Sequence, residues 1–398
     1  RELSDEARGA YERRFWAFAD PSLLEPGNER RSGHYARHAW IRIHERAPRV
    51  RGKVSWGEDL EQILLRFGLP VSRRRIRDLY QSLLMEDPSF IESFDPRAVA
   101  LVPPALLTRG LPSTPPPGVR HELVRDTAPS SYAPVRLRLR AMDINEVRIP
   151  APAGAILRID AVLEPDTIDP RVPAAPRGIL AILDTLGNEM LREPATITGR
   201  PDSAALLSAM VRVPAGEWVY RVELLDDSTG IAGLTQYRIT VPPFDPGALA
   251  VGDLVVAEPF GDALPSALDD PLLRPHPSLV LPVGSRVGLF AEAHGLRRDG
   301  RYAMEWSVEP EERGTLLGQA ARWLGRRLGL VEREPPLVIR WEDVATGGIA
   351  PVAVNMDLSD ARPGLYRITL RVTDGVTGES RTADRLVRLE DPLPRTRR

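Results

Sequence analysis

The hydrophobic period changes along this chain, and that change constrains the fold more than any other feature. Up to residue 47 the apolar side chains recur at helical spacing. Beyond residue 119 they alternate with polar ones, as Val135, Leu137 and Leu139 do with the arginines between them. Period-two segments separated by Gly-, Pro- and Asp-rich breaks are typical of β-sandwiches and barrels. The sequence therefore predicts an α+β multidomain chain, with helices first and sheets after them.

The predicted strands fall into two groups. The first group is 155–163, 178–184, 206–213, 217–225 and 234–241, and the second is 251–257, 285–293, 302–308, 336–341, 352–358, 364–373 and 381–389. One hairpin pattern occurs in both groups: a turn with proline and glycine, an aromatic residue (Trp218 or Tyr366), an alternating strand and an Asp-rich turn. This repetition predicts two related sandwiches, which we expect to be immunoglobulin-like.

A proline-rich stretch separates the helical part from the β-rich part. Its prolines favour an extended, stiff backbone without ladder hydrogen bonds. We therefore predict a helical module, structurally separate from the sandwiches that follow it. The predicted domains are a helical module at 1–100, a linker at 101–118, a β-sandwich at 119–245, a second β-sandwich at 246–391 with an inserted helix at about 314–331, and a disordered tail at 392–398.

Within the helical module, local signals set the expected elements. Asp20-Pro21 ends the first helix, because a residue before proline avoids helical backbone angles. Asn28 is a good N-cap for a second helix, with Glu29 in its first turn. The apolar run at 60–67 predicts a short strand, and the one-sided apolar pattern at 73–86 predicts another helix.

An ordered series of motifs runs through this module. A Phe-Trp…Asp-Pro segment is followed by Asn-Glu-Arg-Arg, then by Ser-Trp-Gly-Glu-Asp and an apolar segment that ends in Phe-Gly-Leu-Pro. The series resembles bacterial proteins that carry the GWxTD domain, with Ser and Glu in place of the Gly and Thr of that motif. The resemblance implies a fold and export to the envelope, but no reaction. We interpret the motif residues as structural: Phe15, Trp16, Asp20, Asn28, Glu29, Arg30, Trp56, Asp59, Gly68 and Pro70.

The location of the protein follows from the same resemblance and from the first residue. The chain begins with Arg1 rather than Met. We therefore expect that an export signal or anchor has been removed. The predicted location is the periplasm or the cell envelope.

Composition excludes several kinds of chemistry. The chain has no cysteine, so disulfides, thiolate metal sites and cysteine nucleophiles are excluded. Lys53 is its single lysine and lies in no phosphate-binding motif. The net charge is −2, from 53 basic and 55 acidic residues, which predicts no nucleic-acid partner. With no recognisable catalytic motif, we predict a protein that is not an enzyme, with no catalytic residues, no cofactor and no metal.

Four polar features have a functional and a structural interpretation. His34 and His38 are four residues apart, a spacing that suits zinc, although the pair also fits a solvated helix face. Trp56 and Asp59 fit a ligand cleft or a buried indole beside a turn aspartate. The acidic pairs 226–227 and 269–270 lie in turn-like contexts, where Asp serves the backbone; the alternative is a pair of carboxylates across a cleft. The arginines at 73–75, with Arg77, fit a solvated helix face, and nucleic-acid binding is the minor interpretation.

The segment 314–331 has a helical apolar stripe between two predicted strands. Leucines form the stripe, a tryptophan lies at its edge, and arginines flank it, a pattern that suits a partner protein or a peripheral membrane contact. The alternative is a crossover helix that packs on its own sandwich. The contact residues that we predict are Leu316, Leu317, Arg322, Trp323, Leu324, Arg326, Arg327 and Leu328.

These features together predict a non-enzymatic scaffold or accessory subunit of a bacterial envelope or membrane-associated complex, which acts through protein–protein contacts. A module that binds a glycan or peptide ligand is the alternative. A hydrolase is a third class, and it would need clustered carboxylates or histidines that a sequence cannot locate.

Overall fold

The computed structural model describes residues 2–20, 22–46, 58–68, 72–75, 90–93, 113–117, 138–140, 142–163, 176–199, 205–228, 230–311 and 337–391. The chain is mostly β, with several antiparallel sheets and a few N-terminal helices. This architecture confirms the predicted order of helices first and sheets after. No helix in the described ranges is both long and apolar enough to cross a membrane.

The described residues of the N-terminal part form three helices and two strands that pair with each other. They are α1 (Asp5–Ala19), α2 (Glu29–Arg46), α3 (Glu58–Phe67), β1 (Ser72–Arg75) and β2 (Phe90–Ser93). Ser4 caps α1 by accepting the Ala7 N–H at 3.3 Å. Asn28 caps α2, because its Oδ1 accepts the Arg31 N–H at 2.8 Å. The two predicted helices before residue 47 and the N-cap at Asn28 are therefore confirmed.

Two predictions for this part are wrong. The run 60–67 lies in α3 instead of a strand, because a short apolar run cannot be assigned by periodicity alone. The start of the predicted helix 73–86 lies in β1, which pairs antiparallel with β2 through Arg74 and Ile91. Pairing with a distant segment overrides the local helical pattern there, and residues 76–86 lie outside the described ranges.

In the described residues, the first β unit contains nine strands in two sheets. They are β3 (Arg138–Arg140), β4 (Met142–Ala151), β5 (Gly154–Leu163), β6 (Pro176–Leu183), β7 (Glu189–Pro194), β8 (Thr196–Gly199), β9 (Ala205–Pro214), β10 (Gly216–Asp226) and β11 (Ile231–Val241). One sheet has the order β3-β11-β10-β6-β7 and the other β4-β5-β9-β8. Side chains from both sheets share one core, which includes Leu157, Leu180, Leu207 and Tyr220. The five strands predicted here are confirmed, whereas β4, β7 and β8 were not predicted.

The second β unit repeats this plan. Its strands are β12 (Ala250–Val251), β13 (Val255–Ala257), β14 (Val280–Pro282), β15 (Arg286–His294), β16 (Arg301–Pro310), β17 (Leu337–Val344), β18 (Ile349–Asp357), β19 (Gly364–Asp374) and β20 (Ser380–Glu390). One sheet has the order β12-β15-β13, with β18 on the other side of β15, and the second sheet has the order β14-β20-β19-β16-β17. Trp306 is fully buried in the shared core. The predicted strand 251–257 is in fact two short strands, and β14 was not predicted.

The repeated hairpin predicted from the sequence is present twice. β10 and β11 pair antiparallel, as do β19 and β20. Asp226 and Asp374 close the two turns, since each accepts the N–H two residues ahead, at 3.0 and 2.7 Å. Trp218 Nε1 donates to the carbonyl four residues before it at 2.8 Å, and Tyr366 Oη does the same at 3.0 Å. The sequence repeat is therefore a structural repeat.

The two β units share a further apolar cluster. It joins Val147 and Ile149 of β4 to Phe260, Leu273 and Phe290 of the second unit, all buried. Beside the cluster, Arg148 pairs with Asp253 at 2.9 Å, and its own N–H donates to the same carboxylate. The two sandwiches are thus held together by a buried apolar cluster and an ion pair.

Candidate functional site

The outer face of β10 and β11 is covered by the N-terminal part of the chain. Arg221, Glu223 and Gln236 lie on that face, yet all three are buried. Gln236 Nε2 donates to the Phe18 carbonyl at 3.3 Å. These polar side chains therefore face protein instead of water.

Glu223 anchors the segment that follows α1. Its carboxylate accepts the Ser22 hydroxyl at 3.1 Å and the N–H groups of Leu23 and Leu24 at 2.9 and 3.1 Å. Arg221 pairs with Glu223 and donates to the Asp20 carbonyl at 2.7 Å. A buried charge is costly unless opposite charges and hydrogen bonds compensate it. Glu223 and Arg221 find those partners in each other and in residues 20–24, so this contact fixes the segment after α1 to the sheet. The prediction that the helical module is structurally separate is wrong for this segment, while the domain limits themselves remain predictions.

Three acids and one arginine from the helical part and β10 influence one another at this contact. We call Asp20, Glu29, Arg221 and Glu223 the junction cluster. Burial raises the pKa of Asp20 to about 7, with Glu29 and Glu223 adding to the rise and Arg221 and the Ser22 N–H opposing it. Burial likewise raises the pKa of Glu29. The cluster is therefore a site where a proton is held near neutral pH.

The predicted motif residues of α1 and α2 meet beside the junction cluster. Asn28 Nδ2 donates to the Trp16 carbonyl at 2.6 Å, so the same side chain caps α2 and ties it to α1. The guanidinium of Arg30, fully buried, lies 5.2 Å from the centre of the Phe15 ring. Phe15 and Trp16 pack edge to face at 4.8 Å. These contacts support the structural interpretation of this part of the motif.

Gly68 closes α3 and lets α2 approach it. Its N–H donates to the Leu64 carbonyl at 2.9 Å with φ +74°, a left-handed helix end that favours glycine. A Cβ at this position would lie only 2.6 Å from Nη2 of Arg37. The same guanidinium donates from its Nη1 to the Leu65 carbonyl at 2.8 Å. The other residues of this half of the motif, Trp56, Pro70 and the side chain of Asp59, lie outside the described part of the structure.

The two histidines considered as metal ligands are in contact. His34 Nε2 and His38 Nε2 are 3.2 Å apart, and the His34 ring lies 5.3 Å from that of Trp16. Burial lowers the pKa of His34 to about 4, and the nearby His38, Arg37 and Arg30 lower it further. Over the described ranges, no group of three or more histidine and acidic side chains is placed to hold a metal ion.

A cavity of about 430 Å³ lies between the two sandwiches. The proline-rich segment Ser113–Pro117, part of the predicted linker, lies along one wall. Thr114 Oγ1 bonds to Glu146 and to Tyr220 Oη, the latter at 2.8 Å, and Arg388 Nε donates to the Pro117 carbonyl at 3.3 Å. We call this space the inter-sandwich cavity.

The acidic pairs act as turn residues, as expected. Asp226 accepts the Ser228 N–H and hydroxyl, at 3.0 and 2.8 Å, while Asp227 pairs with Arg177 at 2.9 Å. Asp270 accepts the Ser266 N–H at 2.9 Å. Asp226 and Asp270 therefore support the backbone, whereas Asp227 pairs with a side chain, and none of the four acids lines the inter-sandwich cavity.

The segment predicted to dock on a partner lies outside the described residues. This applies to Leu316, Leu317, Arg322, Trp323, Leu324, Arg326, Arg327 and Leu328. The strand that follows this segment, β17, pairs only with β16 among the described strands. β18 pairs only with β15 in that same set, so both sheets end on this side of the second sandwich.

Sequence reasoning missed Arg221 and Glu223. Arg221 and Glu223 alternate with apolar residues along β10, and that pattern alone indicates a solvated face. A signal was nevertheless present, because opposite charges two residues apart on one strand lie on the same face and can pair there.

No model of a known protein family matches this chain, and no curated protein matches it.

Proposed function

We propose that this protein is a non-enzymatic scaffold or accessory subunit of a bacterial envelope or membrane-associated assembly, and that it binds its partners through protein–protein contacts. The observation that carries the proposal is the open side of the second sandwich. Unpaired strand edges offer backbone N–H and C=O groups to another chain, and proteins usually protect them. Among the described strands, β17 and β18 are the edge strands of the two sheets on this side, and four residues of chain join them.

Large apolar side chains on this open side support the proposal. Leu337, Val338 and Val344 of β17 are 47%, 50% and 47% exposed, and Ile349 of β18 is 54% exposed. An edge with this chemistry suits addition of a partner strand or packing of an apolar partner face. The segment 314–331, which we propose as a docking helix, leads directly into β17.

The structural repeat supports an immunoglobulin-like assignment for both sandwiches. In each one an early strand pairs in parallel with the last strand, β3 with β11 and β14 with β20. In each one the strand before the last carries an aromatic side chain that donates to an upstream carbonyl, Trp218 or Tyr366. Immunoglobulin-like sandwiches have such a tyrosine corner at the start of the same strand. Proteins of this fold commonly serve as binding modules, which agrees with the scaffold proposal.

The envelope location stays a proposal that rests on the resemblance of the first third of the chain to GWxTD proteins. The contacts are consistent with a structural use of that motif, because the Asp20 carbonyl bonds to Arg221 of the first sandwich while Arg30 packs on Phe15 within the helical part. Burial of Asp20 and Arg30 keeps these groups away from a soluble substrate. The motif then serves to orient the helices on the scaffold.

The test introduces lysine at the open edge. Val338→Lys with Val344→Lys places charges on one face of β17, and substitutions at such exposed positions change stability by about 0.5 kcal/mol or less each. Val376→Lys is the matched control, since Val376 is 51% exposed but lies in the turn between β19 and β20. Circular dichroism and melting curves verify that all three proteins fold alike.

Each tagged protein is then used to recover companions from detergent-solubilised envelopes of the source organism. We expect a companion in about one-to-one ratio with the unaltered protein and with Val376→Lys. Its recovery should fall about tenfold with the β17 double variant, which corresponds to about 1.4 kcal/mol. Equal recovery by all three proteins, or no stoichiometric companion with any of them, would contradict the proposal.

A ligand-binding module is a second candidate function. The inter-sandwich cavity favours it, since pockets that bind small molecules measure about 300–1,000 Å³ and concentrate at domain interfaces. This cavity lies at such an interface and has both apolar and charged walls. The scaffold and ligand-binding functions involve different surfaces.

A further inference from the structure

The helix α2 turns a polar side toward the rest of the protein. Arg30 is fully buried and lies over the Phe15 ring of α1. His34 packs on the same helix, and Arg37 donates to a main-chain carbonyl of α3. Of the α2 side chains that the structure describes, Ile41 is the large apolar one that is buried. A surface helix ordinarily buries its apolar side chains and exposes the polar ones, so the inward packing does not explain the composition of α2.

The outward side of α2 carries the other large apolar side chains. Tyr35, Trp40 and Ile43 are 54%, 42% and 61% exposed. At about 100° per residue they lie within about 140° of one another around the helix axis, so they form one face. A single exposed apolar side chain is common on a protein surface, whereas a group of them indicates a contact with another surface.

Three exposed arginines line one edge of this face. They are Arg31, Arg42 and Arg46, and they fall within about 60° of one another. The Arg31 guanidinium lies 5.8 Å from the centre of the Tyr35 ring, so the charged edge and the apolar face adjoin. None of the α2 residues that the structure describes as exposed is acidic. Within the described ranges, Arg8 of α1 pairs with Asp5, whereas none of these three arginines is in an ion pair.

We call this surface the α2 outer face. It consists of Arg31, Tyr35, Trp40, Arg42, Ile43 and Arg46. From its first arginine to its last, the helix rises by about 22 Å. Cations spread over that length match a broad surface of uniform negative charge better than one acidic pocket of a protein.

The chemistry of the α2 outer face matches the surface of a bilayer with anionic lipids. Tryptophan and tyrosine are enriched at the level of the lipid head groups, because their rings have an apolar body and a polar end. Isoleucine can enter the boundary between head groups and acyl chains. Arginine at the edge of the face can pair with lipid phosphates through parallel N–H bonds.

We propose that the α2 outer face binds the surface of a bilayer that contains anionic phospholipids, with the helix axis in the membrane plane. The arginines contact the phosphates, and Trp40 and Ile43 enter the interface beside them. This inference rests on the membrane-associated location in the proposed function, and it names the lipid class and the surface that contacts it. It is independent of the open edge at β17 and β18.

The test measures flotation of the whole protein with vesicles. One set of vesicles contains equal amounts of phosphatidylglycerol and phosphatidylcholine, and the other contains phosphatidylcholine alone. At low ionic strength we expect binding to the anionic set, and binding to the neutral set that is weaker by at least about tenfold. High salt should release the protein from the anionic vesicles, because it screens charges at an exposed surface.

The first pair of variants tests the charges. Arg42→Gln with Arg46→Gln should weaken binding to anionic vesicles at least about tenfold, since each arginine near such a surface adds several-fold to the affinity. Arg297→Gln with Arg298→Gln is the matched control, because it also removes two exposed arginines, here between β15 and β16. The control should bind like the unaltered protein, and melting curves verify that both variants fold.

The second pair tests the apolar contact. Ile43→Ser should weaken binding to anionic vesicles about threefold or more, because it removes apolar surface that leaves water on binding. Leu264→Ser is its control, since Leu264 is 53% exposed but lies between β13 and β14 of the second sandwich. That control should leave vesicle binding unchanged.

Several results would overturn the proposal. They are no binding to anionic vesicles, equal binding to the two vesicle sets, and equal binding by the α2 double variant and its control. Unchanged binding by Ile43→Ser would also overturn it, since charge alone would then explain the contact. If the unaltered protein ignores both vesicle sets while the α2 double variant loses the envelope companion, the face binds a protein instead of lipid.

The two proposals fail separately. The β17 double variant keeps the α2 outer face and should bind anionic vesicles like the unaltered protein. The α2 double variant keeps the open edge and should recover the envelope companion from detergent-solubilised membranes. If the α2 double variant does not fold, the comparison of the two vesicle sets on the unaltered protein decides by itself.

Discussion

The junction cluster makes the stability of this protein depend on pH in an unusual direction. Asp20 has a pKa of about 7 in the folded protein, against 3.8 for an unperturbed carboxyl, chiefly because of burial. Between these values the unfolded chain is ionised at Asp20, whereas the folded chain holds the proton. The folded state then binds more protons, so stability falls as pH rises.

The size of the effect follows from the shift. One pKa unit corresponds to about 1.36 kcal/mol, so a shift of about three units gives up to about 4 kcal/mol. This contribution is fully present below about pH 4, declines between pH 4 and pH 7, and is lost above pH 7. Glu29 from α2 and Arg221 and Glu223 from β10 face the same carboxyl, and their charges set where the decline occurs.

Asp20→Asn removes the titration but keeps the shape of the side chain. An amide oxygen can still accept the Ser22 N–H, which Asp20 Oδ1 now accepts at 3.2 Å. The free energy of unfolding is measured in urea from pH 4 to pH 8. As pH rises, it should become larger for the variant than for the parent, by up to about 4 kcal/mol. Taking the difference between the two proteins cancels the other titrating groups.

Asp262→Asn is the control for this experiment, because Asp262 is exposed in a loop of the second sandwich. Its difference from the parent protein shows what the loss of one exposed carboxyl does to the free energy of unfolding over the same pH range. The reasoning is refuted if the Asp20→Asn difference changes by less than about 1 kcal/mol between pH 4 and pH 8. A change of the opposite sign would mean that Asp20 is ionised in the folded protein and stabilised by Arg221.

Two further predictions concern the inter-sandwich core and the histidine pair. Ile149→Ala should reduce the free energy of unfolding by about 2–5 kcal/mol, since it leaves a cavity in the cluster shared by both sandwiches. Urea denaturation measures this, Ile43→Ala at an exposed site is the control, and equal small losses for both variants would show that the shared core contributes little. His34 should titrate near pH 4 and remain neutral at pH 6, because burial and three neighbouring cationic or ionisable side chains oppose its protonation. An imidazole NMR titration of the folded protein with a midpoint near 6.5 would show that this ring is solvated instead.

Much of the architecture was predictable because its signals are local. Asn28 followed by Glu29 indicates a helix start in any context, and the structure has α2 begin there. The repeated hairpin was recognisable from its aromatic residues and Asp-rich turns, and Asp226 and Asp374 cap the turns as those patterns imply. Such features depend on neighbours within a few residues, which the sequence displays directly.

The wrong predictions arose where a distant contact decides. Residues 60–67 carry enough apolar side chains for a strand or a helix, and only the packing of Leu64 on one side of α3 distinguishes the two. Residues 73–75 resemble the start of a helix until Phe90–Ser93 pairs with them. A short stretch of sequence shows neither the surface on which Leu64 packs nor the strand that pairs with residues 73–75.

The sequence by itself determined where helices give way to strands, where α2 begins and that one hairpin occurs twice, because each of these depends on periodicity or turn chemistry. Tertiary structure alone decided that Arg221 and Glu223 face the N-terminal segment instead of water, and that Asp20 is buried between them. The physical reason is that charge pairing and desolvation depend on which remote surfaces meet, and a pattern along one strand does not specify its partner.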